Sequence, residues 1–340
     1  MAAATRGSFT QGQQLAGLRP RIPWRRILAR PDVRILLTGG SSFTGLWFAR
    51  SLAAKGHTVV ASLRGSDYSG LRGSRVAELR RVAEVVEDCP FGSARFLDLA
   101  GTGSWDLLCQ HAAQTGDYRN PDFDVIGAVA DNTKNLVAVL KKMMGRGSAG
   151  VVLTGSVFEQ DEGAGDAPLR AFSPYGLSKG LTWQYYRFLS ETLQFNLGKF
   201  VIANPIGPFE EPRFCSYLIR SWFKGEVPAV RTPLYVRDNI HVDLLAKAYA
   251  TFAESVTSQR GITKFNPSFY VESQGAFAQR FATEMSSRLG VACPVTLLQQ
   301  EDFTEPMVRI NTDRIDGAGL GWSETSAWDA EAEFYGQAAK

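Results

Sequence analysis

Val33-Arg34-Ile35-Leu36-Leu37-Thr38 runs into Gly39-Gly40-Ser41-Ser42-Phe43-Thr44-Gly45, and then Leu46 to Lys55 carries apolar residues at helical spacing. A short apolar run, a Gly/Ser turn and an amphipathic helix in that order read as strand, turn and helix. Backbone N–H groups and the helix dipole at such a junction can hold a pyrophosphate. Gly39 suits the tight turn, and Gly45 lets helix and strand approach closely. Many Gly/Ser turns bind nothing, so the reading rests on the flanking strand and helix. It makes Gly39, Ser41, Ser42, Phe43, Thr44 and Gly45 candidate contacts of a dinucleotide.

Outward from this junction, Gly56 ends the helix and Thr58 to Leu63 reads as a second strand, giving a strand-helix-strand unit with a right-handed crossover. Further strands are expected at Ala94 to Leu97, Asp106 to Cys109, Gly150 to Thr154, Lys199 to Ala203 and Ile262 to Asn266. Helical patterns at Asn132 to Met144 and Tyr175 to Leu193 lie between them. Alternation of this kind makes an α/β protein with a doubly wound parallel sheet. It fails over 205–233, rich in Pro, Arg and aromatics, and again over 267–340. These two pieces are expected to form a smaller, discontinuous C-terminal substrate lobe. The cofactor domain then spans 32–204 and continues over 234–266.

The 340 residues carry a formal charge of +3, but residues 1–30 hold six arginines and no acid. Without those arginines the net charge is −3, which argues against a nucleic-acid partner. The leader reads as a disordered basic extension, with an organellar transit segment as the alternative. No run approaches the roughly 20 apolar residues of a membrane span. The expectation is a cytoplasmic protein with no membrane partner. Cys89, Cys109, Cys215 and Cys293 lack metal or redox spacing and read as free thiols, so no metal site is expected.

Ser173-Pro174 precedes Tyr175-Gly176-Leu177-Ser178-Lys179, which opens a helix and puts Tyr175 and Lys179 one turn apart on one face. A nearby ammonium favours phenolate, so the pair suits acid/base work. Such a pair arises by chance in many helices; here it follows the Gly150 to Thr154 strand, whose end offers Thr154 and Ser156 as hydroxyl partners. At the end of the second strand a carboxylate would accept from the 2′-hydroxyl of NAD, whereas an arginine accommodates the 2′-phosphate of NADP. Ala61-Ser62-Leu63-Arg64-Gly65 offers Arg64 and no acid, which favours NADP, with NAD as the alternative.

Taken together, these segments resemble the extended short-chain dehydrogenases/reductases, the NAD-dependent epimerase/dehydratase family with its Rossmann fold, in the branch that modifies sugar nucleotides. The resemblance runs from about Val33 to Trp322. It includes the Thr38 to Gly45 turn, Asp98-Leu99, His111-Ala112-Ala113, Tyr175 to Lys179, Asn204-Pro205-Ile206-Gly207-Pro208, the stretch from Arg237 to Asp243, and Leu320-Gly321-Trp322. It implies Tyr175 as acid/base, Lys179 as ribose ligand, Thr154 as hydroxyl partner, and Asp98 and Leu99 after the third strand near adenine. Ala112 and Ala113 complete the implied cofactor contacts, and a homodimer is implied, with Trp183, Tyr185, Tyr186 and Phe188 as contributors. The chain departs from the family pattern at Ser42, where glycine is usual, and at Phe158-Glu159. Dehydratases carry an Asp-Glu pair where this chain has Gly155 and Ser156, which argues against dehydration.

A sugar nucleotide brings a diphosphate suited to arginine forks. Arg231 and Arg237 are the first choices, with Arg213 and Asn204 as further substrate contacts; His241 and Asp243 read as structural. The leading expectation is NADPH-dependent reduction of a 4-keto sugar nucleotide with Tyr175 as proton donor. The alternatives are an epimerase that retains NAD, an NADPH-dependent reductase of a small ketone or aldehyde, and a non-catalytic NADP sensor.

Overall fold

The computed structural model describes residues 32–116 and 120–338. The basic extension expected over 1–31 therefore lies outside the described residues. Seven parallel strands form the central sheet: β1 (Arg34–Thr38), β2 (Thr58–Ser62), β3 (Glu84–Val86), β4 (Leu107–Gln110), β5 (Gly150–Ser156), β6 (Asn196–Ile202) and β7 (Ile262–Phe265), in the order β7-β6-β5-β4-β1-β2-β3. The order reverses between β1 and β4, the place where open α/β sheets bind ligands beyond their carboxyl ends. The expected doubly wound sheet is present.

Ten helices accompany it: α1 (Phe43–Ala54), α2 (Gly70–Leu79), α3 (Ala94–Thr102), α4 (Val125–Asn132), α5 (Leu136–Met144), α6 (Pro174–Leu193), α7 (Phe214–Phe223), α8 (Val242–Ser258), α9 (Gln274–Leu289) and α10 (Glu324–Ala338) among the described residues. The strand period of two sends Ile35 and Leu37 to one face and Leu36 to the other, and both faces are buried. On the first face lie Leu46, Phe48 and Leu52 of α1 with Leu245 and Tyr249 of α8. On the second lie Phe96 of α3, Leu136 and Leu140 of α5, and Trp183 and Tyr186 of α6. A third core joins Leu218 and Trp222 of α7, Phe277 and Phe281 of α9, and Trp328 and Tyr335 of α10. Beside it the strands Asn204–Ile206, Val236–His241 and Tyr270–Ser273 form a small mixed sheet.

Two elements differ from expectation. The third strand is Glu84–Val86, and Ala94 to Leu97, expected to be a strand, is the start of α3. Ser93 caps that helix by accepting from Phe96 N, and the buried Phe96 and Ala100 recur at helical spacing. The expected single helix from Asn132 to Met144 is broken at Asn135, whose φ of 52° is a left-handed value asparagine tolerates.

Buried Arg75 of α2 ties the helices on the first face of the sheet to the segment that follows the strand Asn204–Ile206. Its guanidinium donates to Phe209 O (2.8 Å from Nε) and pairs with Glu211 (2.6 Å), while Trp47 Nε1 of α1 donates to Pro208 O at 3.0 Å. On the other side of the lobe, Arg309 Nε donates to Val157 O at 2.9 Å, just beyond the end of β5. Both arginines hold loops that border the carboxyl end of the sheet.

Candidate active site

The Thr38–Gly45 turn has the shape that a pyrophosphate cradle needs. Gly39 has φ 75°, and a Cβ there would lie 2.8 Å from Ala112 N; a Cβ on Gly45 would lie 2.2 Å from Gly39 O. Neither position accepts a side chain. Ser42, where the family more often has glycine, caps α1: its Oγ accepts from Gly45 N (3.1 Å) and donates to Gly39 O (2.8 Å). Thr38 Oγ1 accepts from the N–H groups of His111 (3.0 Å) and Ala112 (2.9 Å), tying the end of β1 to the end of β4. Ser41, Ser42 and Thr44 are half-buried, Phe43 is buried beneath them, and Ala112 and Ala113 line the adjoining edge. The turn and its neighbours thus fit a bound dinucleotide.

Arg64 is exposed just beyond β2, as expected. Asp98 and Leu99 do not follow the third strand, which corrects the sequence expectation. They lie on α3, with Asp98 exposed and Leu99 O accepting from Trp105 Nε1 at 3.0 Å. The stretch that does follow β3 is Glu87-Asp88-Cys89. Asp88 N donates to Gly65 O (3.3 Å), Cys89 N donates to Leu63 O (2.8 Å), and the Asp88 carboxylate accepts from Ser66 Oγ (3.1 Å). The misplacement follows directly from reading the start of α3 as a strand.

Across the switch point, α6 begins at Ser173, whose side chain accepts from Gly176 N, with Pro174 in its first turn. A Cβ on Gly176 would lie 2.0 Å from Phe158 O, so the helix start rests against the segment after β5. Tyr175 stands in that first turn, half-buried, with Phe123 edge-on at 6.4 Å. Burial and the Glu159 carboxylate push its phenol above the ordinary value, and Arg213 opposes them. Lys179 is buried and donates from Nζ to Thr154 O. Burial pushes its ammonium down to about 8; Glu159 opposes this and Lys199 adds to it. The phenol shift runs opposite to the lowering expected from Lys179, because burial and Glu159 outweigh the one opposing cation, Arg213.

Thr154 faces the α1/α8 layer, where its Oγ1 lies 3.0 Å from His111 Nδ1. Ser156 Oγ accepts from Phe158 N at 3.2 Å, and Ser156 N donates to Glu159 Oε1 at 2.7 Å. Glu159 belongs to a buried ion network that sequence reading missed. Lys199 Nζ on β6 contacts Glu159 (2.5 Å) and Glu162 (2.6 Å) and sits 4.8 Å from the Trp183 ring. Its signal in the sequence is a lysine inside the apolar strand Leu197 to Val201.

The substrate candidates are spread around this edge. Arg213 is exposed before α7 and acts electrostatically on Tyr175. Asn204 is half-buried in the small sheet, paired in register with Asn239. Arg231 is exposed. Arg237 is engaged by Glu305 (2.9 Å) and by the carbonyls of Val236 and Pro306, with its guanidinium 4.6 Å from the Tyr235 ring centre. His241 caps α8, its Nδ1 accepting from Asp243 N at 3.2 Å. No cluster of His, Cys, Asp or Glu suited to a metal ion occurs among the described residues, and no described helix is long and apolar enough to cross a membrane.

Residues 35–266 match the NAD dependent epimerase/dehydratase family. No curated protein matches the chain. Among solved structures, the UDP-glucose 4-epimerase of Thermotoga maritima with UDP-glucose is similar at TM-score 0.67 and 17% identity, covering 91% of this chain and 100% of that one. The UDP-glucose-4-epimerase of Stenotrophomonas maltophila, with bound NAD and formylated UDP-arabinopyranose, is similar at TM-score 0.70 and 20% identity, over 90% and 98%. The UDP-glucuronic acid 4-epimerase of Bacillus cereus, with UDP-glucuronic acid and NAD, gives 0.67 and 16% over 90% and 100%. At these identities the likeness is one of fold.

Proposed function

The chain belongs to the NAD-dependent epimerase/dehydratase family, and from that premise we propose that it is a sugar-nucleotide epimerase that retains NAD. The observation that carries this reading is the placement of Tyr175 and Lys179 beside a strand end with no carboxylate at positions 155 and 156, across the sheet edge from the Thr38–Gly45 turn. Dehydration needs an acid and a base at the sugar carbons; inversion of a carbinol needs a proton carrier at one oxygen. The solved structures of like fold that carry NAD with UDP-sugars support this choice over the NADPH-dependent reduction expected from sequence.

In this reading Gly39, Ser41, Ser42, Phe43, Thr44 and Gly45 hold the pyrophosphate, Ala112 and Ala113 line the bound dinucleotide, and Asp88 and Cys89 take the adenine side. Bound there, the dinucleotide supplies reversible two-electron oxidation of a carbinol. Tyr175 moves the proton at the sugar oxygen, with Arg213 as a cation that favours its ionised form and Lys179 one helical turn further along α6. Arg213 and Arg231 are the arginines for the diphosphate, with Asn204 beside them. Arg237 joins them only by leaving Glu305.

NADPH-dependent reduction of a 4-keto sugar nucleotide is the second reading. Two observations favour it: Arg64 is exposed at the end of β2, and burial and Glu159 keep the proton on Tyr175, as a donor needs. One experiment separates the two. The purified protein is denatured, the released dinucleotide is identified, and UDP-hexoses and UDP-hexuronic acids are incubated with the native protein while the products are followed by NMR. Retained NAD with interconversion of epimers is expected, and Tyr175→Phe should lower kcat by about 10²–10⁴-fold. An empty protein that consumes NADPH with a 4-keto sugar nucleotide establishes the reductase. Binding of neither dinucleotide overturns both readings.

A homodimer accompanies this proposal. Ile126 of α4 and Leu177, Leu181, Tyr185 and Phe188 of α6 are exposed apolar residues on two helices that pack together. A patch of that kind fits a contact between two copies. Light scattering that gives a monomer at micromolar concentration overturns it.

A further inference from the structure

His111 links the two halves of the site. Its backbone is fixed by Thr38, and its ring lies edge-on to Phe48 with centroids 5.0 Å apart. Nε2 is 3.0 Å from Ser42 Oγ and 3.0 Å from Thr44 Oγ1; Nδ1 is 3.0 Å from Thr154 Oγ1. One imidazole therefore spans the phosphate-binding turn and the end of β5.

The proton inventory assigns the tautomer. Ser42 spends its only hydroxyl hydrogen on Gly39 O at 2.8 Å, so towards His111 its oxygen can only accept. Nε2 must then carry the hydrogen, which Thr44 Oγ1 shares. Burial, with the Lys179 charge adding to it, pushes the ring's pKa down to about 3, so the imidazole is neutral at physiological pH. A neutral ring protonated at Nε2 has a lone pair at Nδ1, and Thr154 must donate to it. The Tyr249 hydroxyl also reaches Thr154, but it has no partner of good hydrogen-bond geometry, whereas Nδ1 stands 3.0 Å from Thr154 Oγ1 and is the better acceptor for that proton.

We propose that His111 is a positioning residue, held as the neutral Nε2–H tautomer, that takes up the Thr154 hydroxyl proton and ties Thr154 to the phosphate-binding turn. Thr154 then offers only lone pairs to any other partner, so a donor to the substrate oxygen must come from Tyr175 or from Ser156. Order in the turn and the orientation of Thr154 become coupled through one ring. This rests on the reading of the Thr38–Gly45 turn as the dinucleotide site, but the tautomer itself does not.

Two measurements test it. In the wild-type protein without added ligand, ¹⁵N NMR of the histidine rings should show for His111 a protonated Nε2 and an unprotonated Nδ1 that do not titrate between pH 5 and 8. An Nδ1–H tautomer, or a ring titrating at the ordinary value, overturns the proposal whatever reaction the protein performs. The second measurement uses two variants. Asparagine places its terminal group near Nδ1 and glutamine places its own near Nε2, so His111→Asn keeps the Thr154 link and His111→Gln keeps the turn link. His111→Asn should weaken dinucleotide binding by calorimetry about tenfold, the loss of one hydrogen bond, with kcat within about threefold. His111→Gln should do the reverse. Equal losses of affinity and kcat in both folded variants would show a merely structural ring and overturn the coupling.

Discussion

Two groups of buried ionisable side chains, similar in burial and opposite in charge balance, divide the molecule. Under the end of β5, Glu159 and Glu162 have a partner for each of their four oxygens. Ser156 N and Lys199 serve Glu159, while Lys199, Lys264 (2.7 Å) and Asn266 (3.0 Å) serve Glu162. Around α10, both oxygens of fully buried Glu331 lack a hydrogen-bond partner, as do Glu210 Oε2, Tyr335 Oη and Nε2 of His241, which caps α8 beside it. His241 Nε2 and Glu331 Oε2 stand 3.9 Å apart. Glu162 is accordingly held below the ordinary carboxylate range, chiefly by Lys199 against the opposing effect of burial. Glu331 is pushed well above that range by burial and Glu210, and Glu210 rises to about 8 by burial. Burial alone does not set charge; the count of donors does. Balanced ions lie where Tyr175 and Lys179 must be held in place, and neutral carboxyls lie where α10 closes the lobe.

The largest effect is expected from breaking the balanced group. Lys199→Met removes the ammonium common to both glutamates and leaves Glu159 with Ser156 N alone. A loss of about 3–5 kcal/mol in urea unfolding at pH 7 is expected, the cost of an uncompensated buried charge. The deficit should narrow as the pH falls below 4.5, because Glu162 stabilises the wild type only while it is ionised: its folded pKa lies below the unfolded one. A loss under about 1 kcal/mol, or one independent of pH, would show that the network contributes little.

The legibility of these regions in the sequence follows their range. The β1–turn–α1 unit and the Tyr175–Lys179 pair were readable because each is a local pattern. β3 was not: Glu84-Val85-Val86 is three residues long, and the Ser93 cap that makes α3 a helix is weaker to the eye than the apolar Phe96-Leu97 it precedes. The sequence marks His111 only as the neighbour of Ala112, since its partners Ser42, Thr44 and Thr154 lie 69, 67 and 43 positions away. Lys199 is an oddity within an apolar strand, but its glutamates are 40 and 37 positions distant and only the fold selects them. Arg213 ranked behind Arg231 and Arg237 on composition; its field on Tyr175 depends on how α7 docks.

The lobe group should respond more weakly and in the opposite pH direction. The folded protein retains protons on Glu331 and Glu210 that the unfolded chain gives up near 4.5, so their contribution to stability falls as the pH rises from 4.5 towards 8 and beyond. Glu331→Gln keeps the shape and removes the ionisation. Beside it stand Glu210, Cys215, His241 and Tyr335, and His241, pushed down to about 4 by burial, stays neutral above pH 6.5 in both proteins. The variant and the wild type should unfold most nearly alike at pH 5, and the variant should gain about 1 kcal/mol by pH 6, the linkage of one proton held only by the folded state, and continue to gain above it. Parallel stability profiles across that range would mean that Glu331 does not hold its proton, and the contrast between the two groups would then reduce to one of packing.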